Sequence, residues 1–177
     1  MTPGIHFVLG GSRSGKSRFA EALLPPENEP VWYVATCRTR WLDDEMRDRV
    51  TRHRRSRPAH WQTIEDEFDL TQVAQHAASG HVLLDCLTLW LSDAMEKEAE
   101  IDSILSRLDE GLSALEANCR RIVIVSNEIG MGLVPLGPEN RLYRDLVGYA
   151  NQRVAARAQR VDFLVAGLPL NLKGGRA

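Results

Sequence analysis

Residues 10 to 17 read GGSRSGKS, the pattern G-x-x-x-x-G-K-[ST], and stand between an apolar run of strand length, IHFVLG, and a segment patterned as a helix. Glycines at Gly10, Gly11 and Gly15 let the backbone curl so that amide N–H groups converge on one anion, and the new helix turns its positive end to the same place. This is phosphate-binding chemistry. Lys16 is placed to neutralise phosphate charge, and the Ser17 hydroxyl to hold Mg2+. An acidic residue at the end of a neighbouring strand should complete that metal shell. Asp85, closing HVLLD, fits the part, and Glu128, after RIVIVSN, competes for it.

A second group lies in RVTRHRRSRPAHW, Arg49 to Trp61, where His53 sits among five arginines ahead of a proline. On a helix Arg49, His53 and Arg57 fall near one face, beside an apolar stripe of Leu42, Met46 and Val50 that would anchor it on a sheet. The neighbouring guanidiniums disfavour an imidazolium and a helix C-terminus favours one, so the two effects oppose. A neutral ring can attack phosphorus, while the arginines bind a triphosphate bidentately and stabilise charge on the leaving pyrophosphate. The same run also reads as a solvated basic helix end or a nucleic-acid patch. Against the patch, no aromatic side chains are interleaved to stack bases, Trp61 excepted, and the chain's net charge is -2.

These groups need elements to position them. Nearly continuous apolar runs at residues 5–10, 31–36, 81–86, 121–126 and 161–167 alternate with helix-patterned segments at 16–24, 43–56, 70–78, 88–98, 103–117 and 141–158. That alternation predicts an α/β fold of the P-loop NTPase type, with a mostly parallel central sheet and helices on both faces. Asp102 is placed to cap the fifth helix. The sequence has 177 residues, 44% of them hydrophobic, and lacks an internal repeat or a long linker, so residues 1–177 are expected to form one domain. Cys37, Cys86 and Cys119 show no C-x-x-C spacing, and no window approaches the length of a membrane span. Together these predict a cytoplasmic protein.

Other candidates carry less. His6 and His81 lie in or beside strands, His76 in a polar helical stretch and His60 after the proline, none with metal spacing to a cysteine or carboxylate. Glu65 is either a surface carboxylate at a strand end or a partner for a base or ribose. The long helix at 141–158 reads as a cover for the sheet, with Asn140, Arg141, Asn151 and Arg153 within reach of a second substrate. The N-K-x-D element of guanine-reading switch proteins is missing, which argues against an ordinary GTPase switch without excluding GTP.

Over nearly its whole length the chain resembles the bifunctional adenosylcobinamide kinase/adenosylcobinamide-phosphate guanylyltransferases of cobalamin biosynthesis. The resemblance rests on GGSRSGKSRFAE, YVAT followed by DDEMRDRV, the histidine with RPAHW beyond it, LLDCLTLWL, VIVSNEIGMGLVP, and RLYRDLVGYANQRVAARA leading to VAGLP. It implies that GTP guanylylates His53 and that GMP then passes to the phosphorylated corrinoid. It also implies that Gly10, Gly11, Ser12, Arg13, Ser14, Gly15, Lys16 and Ser17 surround the guanine nucleotide together with Ala35, Thr36, Cys37, Arg54, Arg55, Ser56, Arg57, Glu65 and Asp85. Asp85 stands where some relatives have glutamate. The implied substrates are ATP, GTP, adenosylcobinamide and its phosphate, with Mg2+, no nucleic acid and no membrane span. A homo-oligomer is also implied, with a trimer as the favoured form. Two other readings make different predictions. A simple small-molecule kinase, with His53 in a phosphate-clamping lid, carries no enzyme-bound GMP. A nucleotide-dependent regulatory module binds RNA or DNA in a salt-sensitive way.

Overall fold

A computed structural model describes residues 4–25, 29–38, 51, 57–67, 69–98 and 100–175. Seven strands form one sheet in the order β3-β2-β4-β5-β1-β6-β7. They are β1 (Ile5–Gly10), β2 (Val31–Ala35), β3 (Gln62–Glu65), β4 (His81–Asp85), β5 (Arg121–Asn127), β6 (Arg160–Val165) and β7 (Leu168–Lys173). All neighbours pair in parallel except β6 and β7, which form an antiparallel hairpin at the edge. Apolar continuity explains the central strands: every residue of β1 is buried, as a strand covered on both faces requires.

The helices are α1 (Lys16–Glu21), α2 (Leu70–His76), α3 (Leu87–Lys97), α4 (Ile101–Asn118) and α5 (Pro138–Arg157). Strand alternation sends Phe7, Val82, Leu84, Ile122 and Ile124 to one face. There they meet Val73 of α2, Leu91 of α3, Leu108 and Leu112 of α4 and Val147 of α5. The opposite face collects Val8, Tyr33, Leu83, Val123, Val125 and Leu164 with Ala20 of α1 and Trp61. Trp61 is therefore a core residue rather than a base-stacking one. Each fully buried leucine contributes about 1.5–3 kcal/mol of apolar transfer, so these two layers position everything else.

Where the structure departs from expectation, local chemistry explains it. β3 reads QTIE and is mostly exposed, so it shows no apolar run. β7, LPLNLK, carries a proline and open leucines, and it owes its place to pairing with β6. α4 starts at Ile101 with Glu100 at its cap, which leaves Asp102 inside the first turn, where its charge suits the helix dipole. α5 starts at Pro138, a residue suited to a first helical turn. The predicted helix at 43–56 lies outside the described residues apart from Thr51. Among the described residues no helix is long and apolar enough to cross a membrane.

Candidate functional site

The phosphate loop follows β1 at the carboxyl end of the parallel strands, where open α/β sheets place ligands. Gly10 pairs with Asn127 on one side and Leu164 on the other. A Cβ on Gly10 would stand 2.6 Å from the Leu164 carbonyl oxygen and 2.7 Å from Ser14 Oγ, so the position needs a glycine. Gly15, at φ 93°, is the left-handed residue that turns the loop into α1, and Arg13 is also left-handed at φ 55°. The loop is backed from behind, because Gly167 N–H of the β6–β7 turn donates to the Ser14 carbonyl at 2.9 Å. Lys16 is buried and its Nζ donates to the Gly11 carbonyl at 2.7 Å. Ser14 Oγ is buried with no partner among the described residues, which suits a cradle that completes itself on a phosphate oxygen.

Along the same edge the register sets Glu65 beside Ala35, Ala35 beside Asp85, and Asp85 beside Val125. Glu65 is thus a strand-end carboxylate on the ligand side of the sheet. Asp85 is one strand further from the loop than a nearest neighbour, because β5 lies between β4 and β1. Glu128, the competitor, follows the adjacent strand. Its N–H donates to the Gly10 carbonyl at 3.1 Å, and its carboxylate accepts from Gly130 N–H at 2.6 Å in a local turn. Asp85 instead accepts from the Tyr33 hydroxyl at 2.8 Å. Burial first, and then the Asp85 charge, push the Tyr33 phenol well above its ordinary range, so it stays a neutral donor.

Thr36 holds the backbone beyond Asp85. Its hydroxyl donates to the Cys86 carbonyl at 2.8 Å and accepts from Cys86 N–H at 2.6 Å, while its own N–H donates to the Asp85 carbonyl. Cys86, raised by burial, is a core thiol beside Thr88. Asn127 Nδ2 donates to Thr88 Oγ1 at 2.7 Å, which ties the end of β5 to the start of α3. Cys37 is half-buried at the exit of β2. One residue on, Arg38 pairs bidentately with Asp93. Burial would raise the Asp93 carboxyl, but the hydrogen bonds from Arg38 and Lys97 outweigh it and hold the group below its usual range.

Arg57 stacks its guanidinium 3.2 Å from the centre of the Tyr33 ring, a close cation–π contact. Its Nε and Nη1 are buried without a hydrogen-bond partner among the described residues, and so is Glu21 Oε1 of α1. Burial raises the Glu21 carboxyl, Arg57 pulls it back and Asp85 pushes it up again, so the three charges share one environment. Sequence reasoning missed Tyr33 and Glu21. The available signal was a hydroxyl-bearing aromatic inside the strand VWYVA and a carboxylate one helical turn beyond Ser17. His53, Arg54, Arg55 and Ser56 lie outside the described residues.

The remaining candidates have other partners. His6 Nε2 bonds Asp162 and His81 Nε2 bonds Glu29, both at 2.6 Å, so each has a carboxylate partner that linear spacing did not reveal. Asn151 bonds Ser126 and Asn127, Arg153 pairs with Asp109, and Arg141 donates to the Pro135 carbonyl, so these side chains brace α5. Among the described residues no group of three or more His, Cys, Asp and Glu could hold a metal. The Ser17 hydroxyl and Asp85 carboxylate are hard oxygen donors of the kind Mg2+ takes alongside phosphates and water.

Strand order, loop and edge carboxylate define a P-loop α/β protein of the NTPase type. A KaiC-like protein of Pyrococcus horikoshii shares this fold, with a TM-score of 0.50 and 13% identity over 90% of this chain and 70% of that one. Residues 6–172 match the family described as cobinamide kinase / cobinamide phosphate guanyltransferase, and the chain belongs to that family. It is 44% identical to the bifunctional adenosylcobalamin biosynthesis protein CobP of Pseudomonas aeruginosa, over 94% of this chain and 96% of that protein. Its identity to the CobU proteins of Salmonella typhimurium and Escherichia coli, described as bifunctional in the same terms, is 38% and 36%, each over 94% of this chain and 98% of theirs.

Proposed function

We propose that this chain phosphorylates adenosylcobinamide with ATP or GTP and then converts the product to adenosylcobinamide-GDP through a guanylyl group carried on His53. In the first reaction the γ-phosphoryl group passes to the substrate's aminopropanol hydroxyl and a nucleoside diphosphate leaves. In the second a ring nitrogen of neutral His53 attacks the α-phosphorus of GTP and pyrophosphate departs. A phosphate oxygen of the corrinoid then attacks the same phosphorus and releases the imidazole, forming the new diphosphate bond. The observation that carries this reading is the convergence, at one sheet edge, of the Gly10–Ser17 cradle with Asp85 and Arg57. His53 is four residues from Arg57, a separation that an extended chain covers in about 14 Å.

In this reading Ser17 and Asp85 hold Mg2+, which supplies charge neutralisation at the phosphates. Lys16 binds the triphosphate, and Ala35, Thr36, Cys37, Glu65, Arg54, Arg55, Ser56 and Arg57 surround the guanine nucleotide. Residues 1–177 act as one nucleotide-binding domain in the cytoplasm. The chain assembles as a homo-oligomer, in the first instance a trimer. The open apolar side chains Met131, Leu133, Val134 and Leu136, with Leu168, Leu170 and Leu172 on one face of β7, support self-association. Light scattering on the purified chain checks that mass.

Incubation with α-labelled GTP and Mg2+ tests the covalent step. Acid-labile, base-stable label is expected on the wild type and none on His53→Ala. Label retained by His53→Ala assigns another nucleophile, and an unlabelled wild type removes the covalent mechanism.

A further inference from the structure

The amino ends of the strands, opposite the phosphate loop, enclose a cavity of about 740 Å³, within the size range of small-molecule sites. Ile5, Leu23, Leu24 and Pro25 give it an apolar side. Arg120, Arg121 and Arg160 line it as well, against one carboxylate, Glu29. Arg121 donates to the Leu23 carbonyl at 2.6 Å, Arg120 pairs with Glu29 at 3.3 Å, and Arg160 Nε donates to Asp162 at 2.9 Å. A guanidinium has five N–H groups, so these contacts orient the three side chains and leave donors for a ligand. His81 adds a buried Nδ1 with no partner among the described residues, its Nε2 being fixed by Glu29.

We propose that this cavity is a second ligand site, separate from the phosphate loop, for a small phosphomonoester with an apolar body. Glu29 and Asp162 pair with Arg120 and Arg160, whereas Arg121 has only the Leu23 carbonyl among the contacts described, so the cavity wall keeps a cationic excess and spare N–H donors, and a phosphate dianion accepts from several guanidiniums at once. The apolar wall formed by the end of the α1 segment would hold the ester group. The cradle lies at the far end of the same helix, so the two sites do not compete for side chains.

Phenyl phosphate is the probe, titrated calorimetrically into the full chain, with benzoate as the carboxylate of the same aryl body. Saturable binding of phenyl phosphate is expected in the wild type and in Lys16→Ala. Arg121→Gln should weaken it about tenfold, as the loss of one charged hydrogen bond does. Arg120→Gln, whose side chain is largely exposed, gives a second weakened variant with little risk to the fold. Binding lost in Lys16→Ala but kept in both arginine variants would place the ligand in the cradle and overturn the proposal. No saturation by about 10 mM, or benzoate binding as tightly as phenyl phosphate, would overturn it too.

Discussion

The Arg57 guanidinium rests 3.2 Å from the centre of the Tyr33 ring, and the same tyrosine donates its hydroxyl to Asp85 at 2.8 Å. One aromatic side chain thereby connects the end of the arginine-rich run to the carboxylate on the ligand edge. The two halves of this contact can be separated. Tyr33→Phe keeps the ring under Arg57 and removes only the donor to Asp85. About tenfold weaker Mg2+ binding is expected, read as a rise in the Mg2+ concentration giving half-maximal kinase rate, with little change in Tm. Tyr33→Leu also removes the face that Arg57 covers and should cost about 3 kcal/mol in chemical denaturation.

Lys16→Ala tests whether one cradle serves both reactions. Removing a positioned cation from a phosphate site costs on the order of 10²–10³ in rate. Both γ-phosphoryl transfer and labelling of His53 should fall by that order, while unfolding without nucleotide stays nearly cooperative and unshifted. Loss of the kinase alone would mean that the two steps use different nucleotide sites.

Gly111 of α4 marks where α2 comes closest, since a Cβ there would stand 2.5 Å from Leu70 Cβ. Alanine gains up to about 1 kcal/mol in helix propensity but overpacks a contact between two buried backbones, at about 1–3 kcal/mol. Gly111→Ala should therefore destabilise the protein on balance, and Gly148→Ala in α5, which has open space around its Cβ, should not. Urea unfolding of the pair decides it.

Stability should decline on mild acidification, in part through His6. Burial lowers the His6 ring below its ordinary 6.5 despite the bond to Asp162, whose charge Arg160 already balances. As pH falls through 6.5 the unfolded chain takes up a proton that the folded ring refuses, so folding loses up to about 1.4 kcal/mol per pH unit until the folded ring also titrates. Asp162 continues the trend at lower pH. Burial would raise it, but hydrogen bonds from Arg160, Asn171 and His6 hold it below 3.8, and that stabilisation is lost as pH falls past this value. Thermal unfolding between pH 8 and 5 should show a smaller slope in His6→Gln than in the wild type.

The glycine-rich loop between a strand and a helix, the central strands, most helices and the place of Asp85 at the end of a strand were legible in the linear chain. A glycine turn between a strand and a helix is local chemistry, and buried parallel strands write their burial directly as apolar runs. Only the folded sheet could show that Tyr33 meets Asp85 across 52 positions, that Trp61 enters the core, or that His6 finds Asp162 across 156. Those pairings depend on which strands lie side by side, and no periodicity encodes strand order. The edge strands were equally hidden. QTIE and LPLNLK bury too little to write a pattern, and they become strands because β2 and β6 each present an unsatisfied row of backbone groups to pair.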